Sequence, residues 1–272
     1  MLIVGIIGSY EVGKKIATDA LSSWYLCRDA ADTELLLRIT TDVEHNGAME
    51  REAFVLRFLM AQSDAYKQKY ESDPEFEDMQ PFDWLFSNLV ETFACDEQGG
   101  RQINVFKIKD LKDIGALVPI ASIRKKKLTV DLKTSVWMVG KLLKLLGFVH
   151  ENGVIAGEIK PGKVLIDRDS HRVILIDWTN AVLCDGKMSR EKTRNNISEA
   201  AQAVLKGALS CDDVTNCTTS DEAEQEYTDI VKSIAIGGFS DAGKAHVKLY
   251  DIVKKLWGIS YHPFTTINTG GV

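Results

Sequence analysis

The sequence lacks the cysteine pattern of a disulfide-rich or zinc-binding protein. It has only 5 cysteines among 272 residues, and no two of them form a C-x-x-C pair. Their odd number argues against a disulfide framework, and their spacing argues against a zinc cage. We therefore expect the cysteines to be reduced residues that serve in packing. They are Cys27, Cys95, Cys184, Cys211 and Cys217.

Long apolar runs and an excess of positive charge are also missing. The longest apolar run, residues 1–8, is too short to cross a bilayer and has no positively charged lead of the secretory type. The 33 Lys and Arg against 39 Asp and Glu give a net charge of −6, which provides no overall attraction to nucleic acid. The sequence therefore predicts a cytoplasmic protein with no membrane span and no nucleic-acid partner.

The first part of the chain has the alternating pattern of a β-rich structure. Short apolar runs bounded by polar turns predict strands at residues 2–7, 12–17, 23–27, 34–40, 89–95 and 103–108. Between the fourth and fifth runs, Met49, Ala53, Leu56 and Met60 recur at helical spacing and predict one helix. The charged segment 62–80 that follows is interpreted as a surface insert or a frayed helix end.

From about residue 129 the pattern is mainly helical. An apolar stripe from Leu132 to Val149 predicts a long core helix that ends near Asn152 and Gly153. A β-hairpin is predicted at residues 163–177, and the remaining pattern predicts helices at residues 197–209, 227–236 and 242–257. Segments 62–84 and 210–226 are candidate contact sites, although solvent-facing loops are the simpler interpretation. This order of elements is typical of an α+β protein with two lobes.

The most informative segment covers residues 154–179. It contains V-I-A-G-E-I-K-P-G-K-V-L-I-D and, after a turn, V-I-L-I-D-W-T. In its spacing this segment resembles the catalytic loop and the metal-binding motif of the protein kinase family, H-R-D-x-K-P-x-N-[ILV]-L and D-F-G. The resemblance extends over about residues 12–209. It implies one bilobal kinase-like domain, with a β-rich N-lobe at residues 1–110 and a mainly helical C-lobe at residues 111–272.

The resemblance assigns catalytic and cofactor roles residue by residue. Glu158 corresponds to the carboxylate beside the acceptor hydroxyl, and Lys160 corresponds to the lysine of the catalytic loop. Lys163 corresponds to the metal-binding asparagine, and Asp177 to the metal-binding aspartate. ATP and magnesium are the cofactors that the resemblance implies.

Two of these four positions, Glu158 and Lys163, depart from the family pattern, whereas Lys160 and Asp177 match it. Glu158 is one methylene longer than aspartate, which moves its oxygens by about 1 Å, and a shift of that order can cost roughly 100-fold in rate. Lys163 replaces a neutral oxygen ligand with an ammonium group that repels a cation. Asp177 is retained and is expected either to hold a single magnesium ion or to pair with Lys163 in place of that ion.

The first lobe departs from the pattern as well. Arg38 corresponds to the strand lysine and Glu52 to its partner on the helix, but arginine is a bulkier planar group than lysine. The turn that corresponds to the glycine-rich flap is A-T-D-A-L-S-S, which has no glycine and carries Asp19, so it is a poor phosphate cradle.

The activation-segment motif Ala-Pro-Glu is missing, because no proline lies between Pro161 and Pro263. Together these departures imply a pseudokinase, a regulatory or scaffolding protein with a protein partner. An ATP-dependent protein kinase of weak activity, using Glu158, Lys160 and Asp177, is the alternative.

A P-loop NTPase is a second alternative from another class. Gly8, Gly13 and Lys14 follow an apolar run and fit the G-x-x-x-x-G-K part of a phosphate-binding loop, with residues 173–177 as the partner strand and its Asp. Lys15 stands where the motif requires Ser or Thr. This alternative predicts that a helix begins at Lys14.

Overall fold

The computed structural model describes residues 1–70, 81–111, 113–216, 222–258 and 260–268. The chain forms two units: Met1–Leu117 with Asp177–Ala181, and Val118–Ile176 with Val182–Val272. An antiparallel sheet dominates the first unit and helices dominate the second, which confirms the predicted α+β class. The division of one bilobal domain at residue 110 stays a prediction. In the described part of the chain, no helix is both long and apolar enough to span a membrane.

The first unit is a six-stranded antiparallel sheet in the order β1-β2-β3-β4-β6-β5. Its strands are β1 (Leu2–Val4), β2 (Ser9–Thr18), β3 (Ser22–Arg28), β4 (Glu34–Thr40), β5 (Asn88–Cys95) and β6 (Arg101–Lys107). Helix α1 (Asn46–Tyr70) packs on β5 and β6. Alternate residues of β5 are buried, as expected where one face of a sheet packs on a core and the other meets solvent.

The six strand predictions for this unit are confirmed, although the first strand ends at Val4 and not at residue 7. Helix α1 continues to Tyr70 through part of segment 62–80, which we interpreted as a surface insert or a frayed helix end, and the helical alternative holds for residues 62–70. Its last two turns carry polar side chains such as Lys67 and Lys69, which face solvent. This part of the sequence therefore lacks apolar residues at helical spacing, the signal from which a helix is predicted. The rest of that expected insert, residues 71–80, lies outside the described residues.

The P-loop alternative is wrong. Gly13 and Lys14 lie inside strand β2, which pairs with β3 and has an irregular register between Val12 and Lys15. Successive N–H groups of a strand point to opposite sides, so they cannot converge on a phosphate as they do in a P-loop.

The second unit is built around helix α3 (Leu132–Glu151), which contacts α4 and α6. Asp131 caps its start by accepting a hydrogen bond from the Thr134 N–H at 2.7 Å, and Gly153 follows its end with φ of +73°. The predicted long core helix and its C-terminal signal are therefore confirmed. The remaining elements are β7 (Val118–Pro119), α2 (Ala121–Lys125), β8 (Leu128–Val130), β9 (Val154–Ile155), β10 (Val164–Asp167), β11 (Arg172–Leu175), β12 (Val182–Leu183), α4 (Arg190–Gly207), α5 (Glu222–Ala235), α6 (Ala242–Trp257) and β13 (Thr266–Asn268).

The predicted hairpin is the β10–β11 pair, and α6 has the predicted bounds. Two helices begin earlier than predicted. Helix α4 begins at Arg190 after the N-cap Ser189, and α5 covers Glu222 and Glu224, which we placed in an acidic loop. Their first turns are polar and carry no apolar period, while an N-cap serine and acidic first-turn residues stabilise a helix start. Residues 217–221 of the expected loop lie outside the described residues.

The expectation that all cysteines are reduced is wrong for Cys211, which is disulfide-bonded. Cys27, Cys95 and Cys184 are free thiols, and the first two are buried. The spacing of cysteines in a sequence can reveal a framework of several disulfides, but it does not reveal a single disulfide bond.

Lys141 on α3 makes the stability of the protein depend on pH. Its ammonium group donates to the backbone oxygen of His171, and burial, with Lys144 and Arg172 nearby, lowers the pKa of Lys141 to about 8. The unfolded chain keeps this proton up to about pH 10. Between these two values the unfolded state binds more protons than the folded state, so the free energy of unfolding rises with pH.

Lys141→Met removes a charge that burial disfavours, so we expect this variant to be more stable than the native protein by about 1 kcal/mol at pH 7. The gain is modest because the ammonium group is only partly buried and solvent screens its charge. The variant should also lose part of the rise in stability between pH 8 and about 10. Urea unfolding across this range measures both effects. Lys133→Met, which removes an exposed lysine from the same helix, is the control. The same pH dependence in Lys141→Met and the native protein would contradict the assignment.

Candidate functional site

Arg38 is the centre of a buried ionic cluster in the first unit. It lies on β4 directly opposite Trp24 of β3 and Asn104 of β6. The guanidinium carbon is 4.6 Å from the centroid of the Trp24 ring, a cation–π distance. Asn104 donates to the backbone oxygen of Met49 on α1 at 2.9 Å, so this row of side chains faces the helix. Arg38 is 0% exposed.

Four polar side chains surround the Arg38 guanidinium. Nη1 donates to Glu52 Oε1 at 2.7 Å and to Asp177 Oδ1 at 3.2 Å, and Nε donates to Ser22 Oγ at 2.6 Å. Nη2 lies 3.6 Å from Asp19 Oδ2. Burial by itself would lower the pKa of Arg38, but the three carboxylates raise it. The cluster therefore holds a permanent positive charge among negative ones.

The two buried carboxylates have further donors of their own. Glu52 Oε1 accepts the Trp178 N–H at 3.0 Å, and its Oε2 accepts Asn104 Nδ2 at 3.0 Å. Asp177 Oδ1 accepts the Thr179 N–H at 3.1 Å and the Thr179 hydroxyl at 2.7 Å. Thr179 thus donates twice to an oxygen that a metal-binding aspartate would offer to a cation.

Asp19 occupies the turn between β2 and β3. Its Oδ1 accepts the N–H groups of Leu21 and Ser22 at 2.9 and 2.8 Å, and its Oδ2 faces Arg38. In a phosphate-binding turn, backbone N–H groups and a nearby cation converge on the phosphate. Here they converge on a carboxylate of the protein itself.

Magnesium-bound ATP does not fit this cluster as it is arranged. Arg38 has no exposed surface, and Asp19 places a negative charge where a phosphate would have to approach it. In the described ranges, Arg38 Nη2 has no hydrogen bond, only its ion pair with Asp19. The same ranges contain no group of three or more His, Cys, Asp or Glu residues that could hold a metal ion.

Three other predicted site residues lie together in the second unit, at the loop between β9 and β10. Lys160 Nζ is 2.7 Å from Glu158 Oε2, and Lys163 Nζ is 3.8 Å from the same oxygen. The Glu158 side chain is 48% exposed, and it lines a cavity of about 210 Å³ together with Lys160. A carboxylate at this position is therefore accessible, but two ammonium groups surround it.

Helix α4 holds this loop in place through two residues that we did not predict. The side chain of Asn196 accepts the Ala156 N–H at 2.9 Å and donates to the Gly157 backbone oxygen at 2.7 Å. One turn later, Glu199 Oε2 accepts the Ile159 N–H at 3.1 Å, and burial raises the pKa of Glu199. Gly157 has φ of +78°, a conformation that favours glycine.

Sequence reasoning identified Arg38, Glu52 and Asp177, which the structure brings together, but it missed their neutral partners. Ser22 and Trp24 are on the strand next to Arg38, yet only the register of the two strands places them beside it. Asp19 was recognised as a defect in the phosphate cradle and not as a partner of Arg38. Knowledge of the β3–β4 register would have been the signal for Ser22 and Trp24, whereas the position of Asp19 depends on the turn between β2 and β3.

No protein-family model matches the sequence, and no curated protein matches it either. Solved structures do match. A structure of vaccinia related kinase 3 aligns with a TM-score of 0.67 at 12% identity, over 97% of this chain and 93% of that one. The BubR1 kinase domain aligns with a TM-score of 0.64 at 10% identity, over 94% and 83% of the two chains. The kinase domain of PknI from Mycobacterium tuberculosis, a C20A mutant, aligns with a TM-score of 0.55 at 12% identity, over 90% and 95%.

These similarities show that the chain has a two-lobed protein-kinase-like fold, as its sequence motifs predicted. Identities of 10–12% show the fold alone. Function therefore has to be argued from the residues of the site.

Proposed function

We propose that this chain is a pseudokinase, a kinase-like domain that regulates or scaffolds a protein partner and does not transfer phosphate. The observation that carries the proposal is the complete burial of Arg38 among Glu52, Asp177, Ser22 and Asp19. An arginine in this state cannot contact a nucleotide phosphate unless the ion pairs break. Breaking them would leave buried charges without partners, at a cost of about 3–5 kcal/mol.

The second unit supports the same proposal. Phosphoryl transfer requires a carboxylate that is free to orient the acceptor hydroxyl. Lys160 and Lys163 both lie within ion-pair distance of Glu158, so they compete with a hydroxyl for that carboxylate. Lys163 also replaces an oxygen ligand of magnesium with a cation.

A kinase of weak activity is the second candidate, because Glu158 is accessible and borders a cavity. Thermal-shift titration with ATP, with and without magnesium, tests the proposal. We expect no shift under either condition. A shift that requires magnesium, together with phosphate transfer that disappears in Glu158→Gln, would establish the second candidate. A shift without magnesium would contradict our account of the Arg38 cluster.

Removing Asp19 should open the cluster to anions. In Asp19→Ala the Leu21 and Ser22 N–H groups and Arg38 Nη2 lose their carboxylate, so they become donors without an acceptor. We expect the affinity for inorganic phosphate or ATP to rise at least about tenfold, since charge-assisted hydrogen bonds contribute roughly 1.5–3 kcal/mol. Thermal shift as a function of ligand concentration measures the gain.

Asp29→Ala is the matched control for this variant. Asp29 accepts the N–H groups of Ala31 and Thr33, both at 2.9 Å, in the next hairpin turn, so its loss removes the same charge and two bonds of the same kind. Equal responses of the two variants to phosphate would exclude a specific anion site at Arg38.

A further inference from the structure

Strand β1 is the outer edge of the sheet in the first unit. It pairs with β2, and within the described ranges no other strand pairs with it. The Val12 N–H donates to the Met1 backbone oxygen at 2.7 Å, so Met1 is at a hydrogen-bonded position. Because such positions alternate in an antiparallel pair, Leu2 and Val4 point their N–H and C=O groups away from β2. The free edge therefore has unpaired backbone donors and acceptors.

Strand β1 is short, with three residues, but its edge has none of the charged side chains, prolines or bulges that protect other edge strands from pairing. Residues 1–8, M-L-I-V-G-I-I-G, contain no charged side chain and no proline, and the register with β2 is regular. Apolar side chains are exposed along the whole segment: Met1 by 59%, Leu2 by 65%, Val4 by 59%, Ile6 by 78% and Ile7 by 68%. We call these five side chains the edge patch.

A buried carboxylate holds one end of the edge patch in a defined position. Glu91 on β5 is 4% exposed, and its Oε2 accepts the N–H groups of Ile6 and Ile7 at 2.9 and 3.1 Å. A Cβ on Gly5 would lie 2.2 Å from Glu91 Oε1, so a larger residue here would force the carboxylate away from the position in which it binds the Ile6 and Ile7 N–H groups. The two isoleucines are thus presented to solvent by a fixed backbone and do not belong to a frayed end.

We propose that β1 pairs with β1 of a second copy of this chain, antiparallel and across a two-fold axis. With Ile3 opposite Ile3 of the other copy, Leu2 of each copy faces Val4 of the other. Leu2 and Val4 carry the unpaired backbone groups, so this register satisfies the donors and acceptors of both edges. The pairing is self-complementary and closes with two copies, as a two-fold interface requires.

Charge favours a second copy as the partner, and area limits the strength of the contact. No charged side chain lies in residues 1–8, so the two paired strands oppose no like charges despite the net charge of −6. In the proposed register Ile6 and Ile7 of each copy lie beyond the end of the other copy's β1, so two copies bury less than the roughly 1,000 Å² of a stable specific interface. We therefore expect a weak, reversible dimer that forms at concentrations toward about 100 µM.

Val4→Lys tests the dimer. In the monomer, a lysine at position 4 of the free edge faces solvent. In the dimer it lies opposite Leu2 of the other copy, and the two-fold axis places this unfavourable contact at the interface twice. Sedimentation equilibrium of the full chain between about 1 and 100 µM should show that this variant raises the dimer dissociation constant at least about tenfold. Val247→Lys is the control, because Val247 is 60% exposed but lies on α6. Equal melting temperatures would show that both variants fold.

Disulfide trapping tests the register. Leu2 and Val4 of opposite copies form a hydrogen-bonded pair with Cα atoms about 5.5 Å apart, within the range for a disulfide. A mixture of Leu2→Cys and Val4→Cys proteins should therefore give more covalent dimer on oxidation than either variant alone. The native protein, which has free thiols at Cys27, Cys95 and Cys184, gives the background.

The proposal rests on the first unit alone and is independent of the pseudokinase assignment. A monomer throughout the concentration range would overturn it, as would a dimer that Val4→Lys and Val247→Lys affect equally. Covalent dimer formed equally well by Leu2→Cys alone would overturn the proposed register.

Discussion

Arg38→Met is expected to lower the free energy of unfolding by about 3–5 kcal/mol at pH 7. Methionine replaces only the aliphatic stem of the arginine, so it leaves Glu52 and Asp177 buried near each other without the cation that both contact. Removing one member of a buried ionic group is costly because the remaining charges lose their partner. Urea unfolding followed by circular dichroism measures the loss.

Two further variants separate charge from packing in this result. Arg38→Lys keeps the charge but loses the planar contacts with Ser22 and Trp24, so we expect a smaller loss, about 1–2 kcal/mol. Arg38→Met combined with Glu52→Gln should recover part of the stability, since it removes one of the uncompensated charges. If the double variant is less stable than Arg38→Met by the full cost of Glu52→Gln alone, the two residues are not coupled.

Asn196→Ala is expected to cost about 2–4 kcal/mol of stability. The change leaves the Ala156 N–H and the Gly157 backbone oxygen without the side chain that holds them, and Ala156 is 0% exposed. Buried backbone groups without partners retain their desolvation penalty, which is larger than the net value of the hydrogen bonds. The loop that carries Glu158 should also become more accessible to proteases.

The neighbouring residue offers a matched control. Asn195 is exposed on the same helix, so Asn195→Ala should change stability by less than about 0.5 kcal/mol. Asn196→Asp keeps the acceptor for Ala156 but loses the donor to Gly157, and an intermediate loss is expected. A value for Asn196→Ala equal to that for Asn195→Ala would show that the side chain does not stabilise the loop.

The elements that could be predicted were those with a strong local pattern. Helix α3 is apolar over five turns and has an N-cap and a C-terminal glycine, and the β10–β11 hairpin is a pair of apolar runs around a polar turn. The polar first turns of α4 and α5 were missed, and the last turns of α1 were predicted only as one of two alternatives, because residues that face solvent carry no apolar period. The disulfide at Cys211 was missed for a similar reason, since one bridge leaves no repeat in the sequence.

Local patterns and motif spacing were enough to obtain the kinase-like fold and to select Arg38, Glu52 and Asp177 as residues of interest. They did not show that Arg38 has no accessible surface, because its burial depends on strand register and on a turn that returns Asp19 to it. Contacts such as Arg38 with Asp177 join residues 139 positions apart. The charges of such a site and its accessibility to solvent and ligands are set by groups that only the folded chain brings within a few ångströms of each other. At these distances electrostatic interactions are strong and poorly screened.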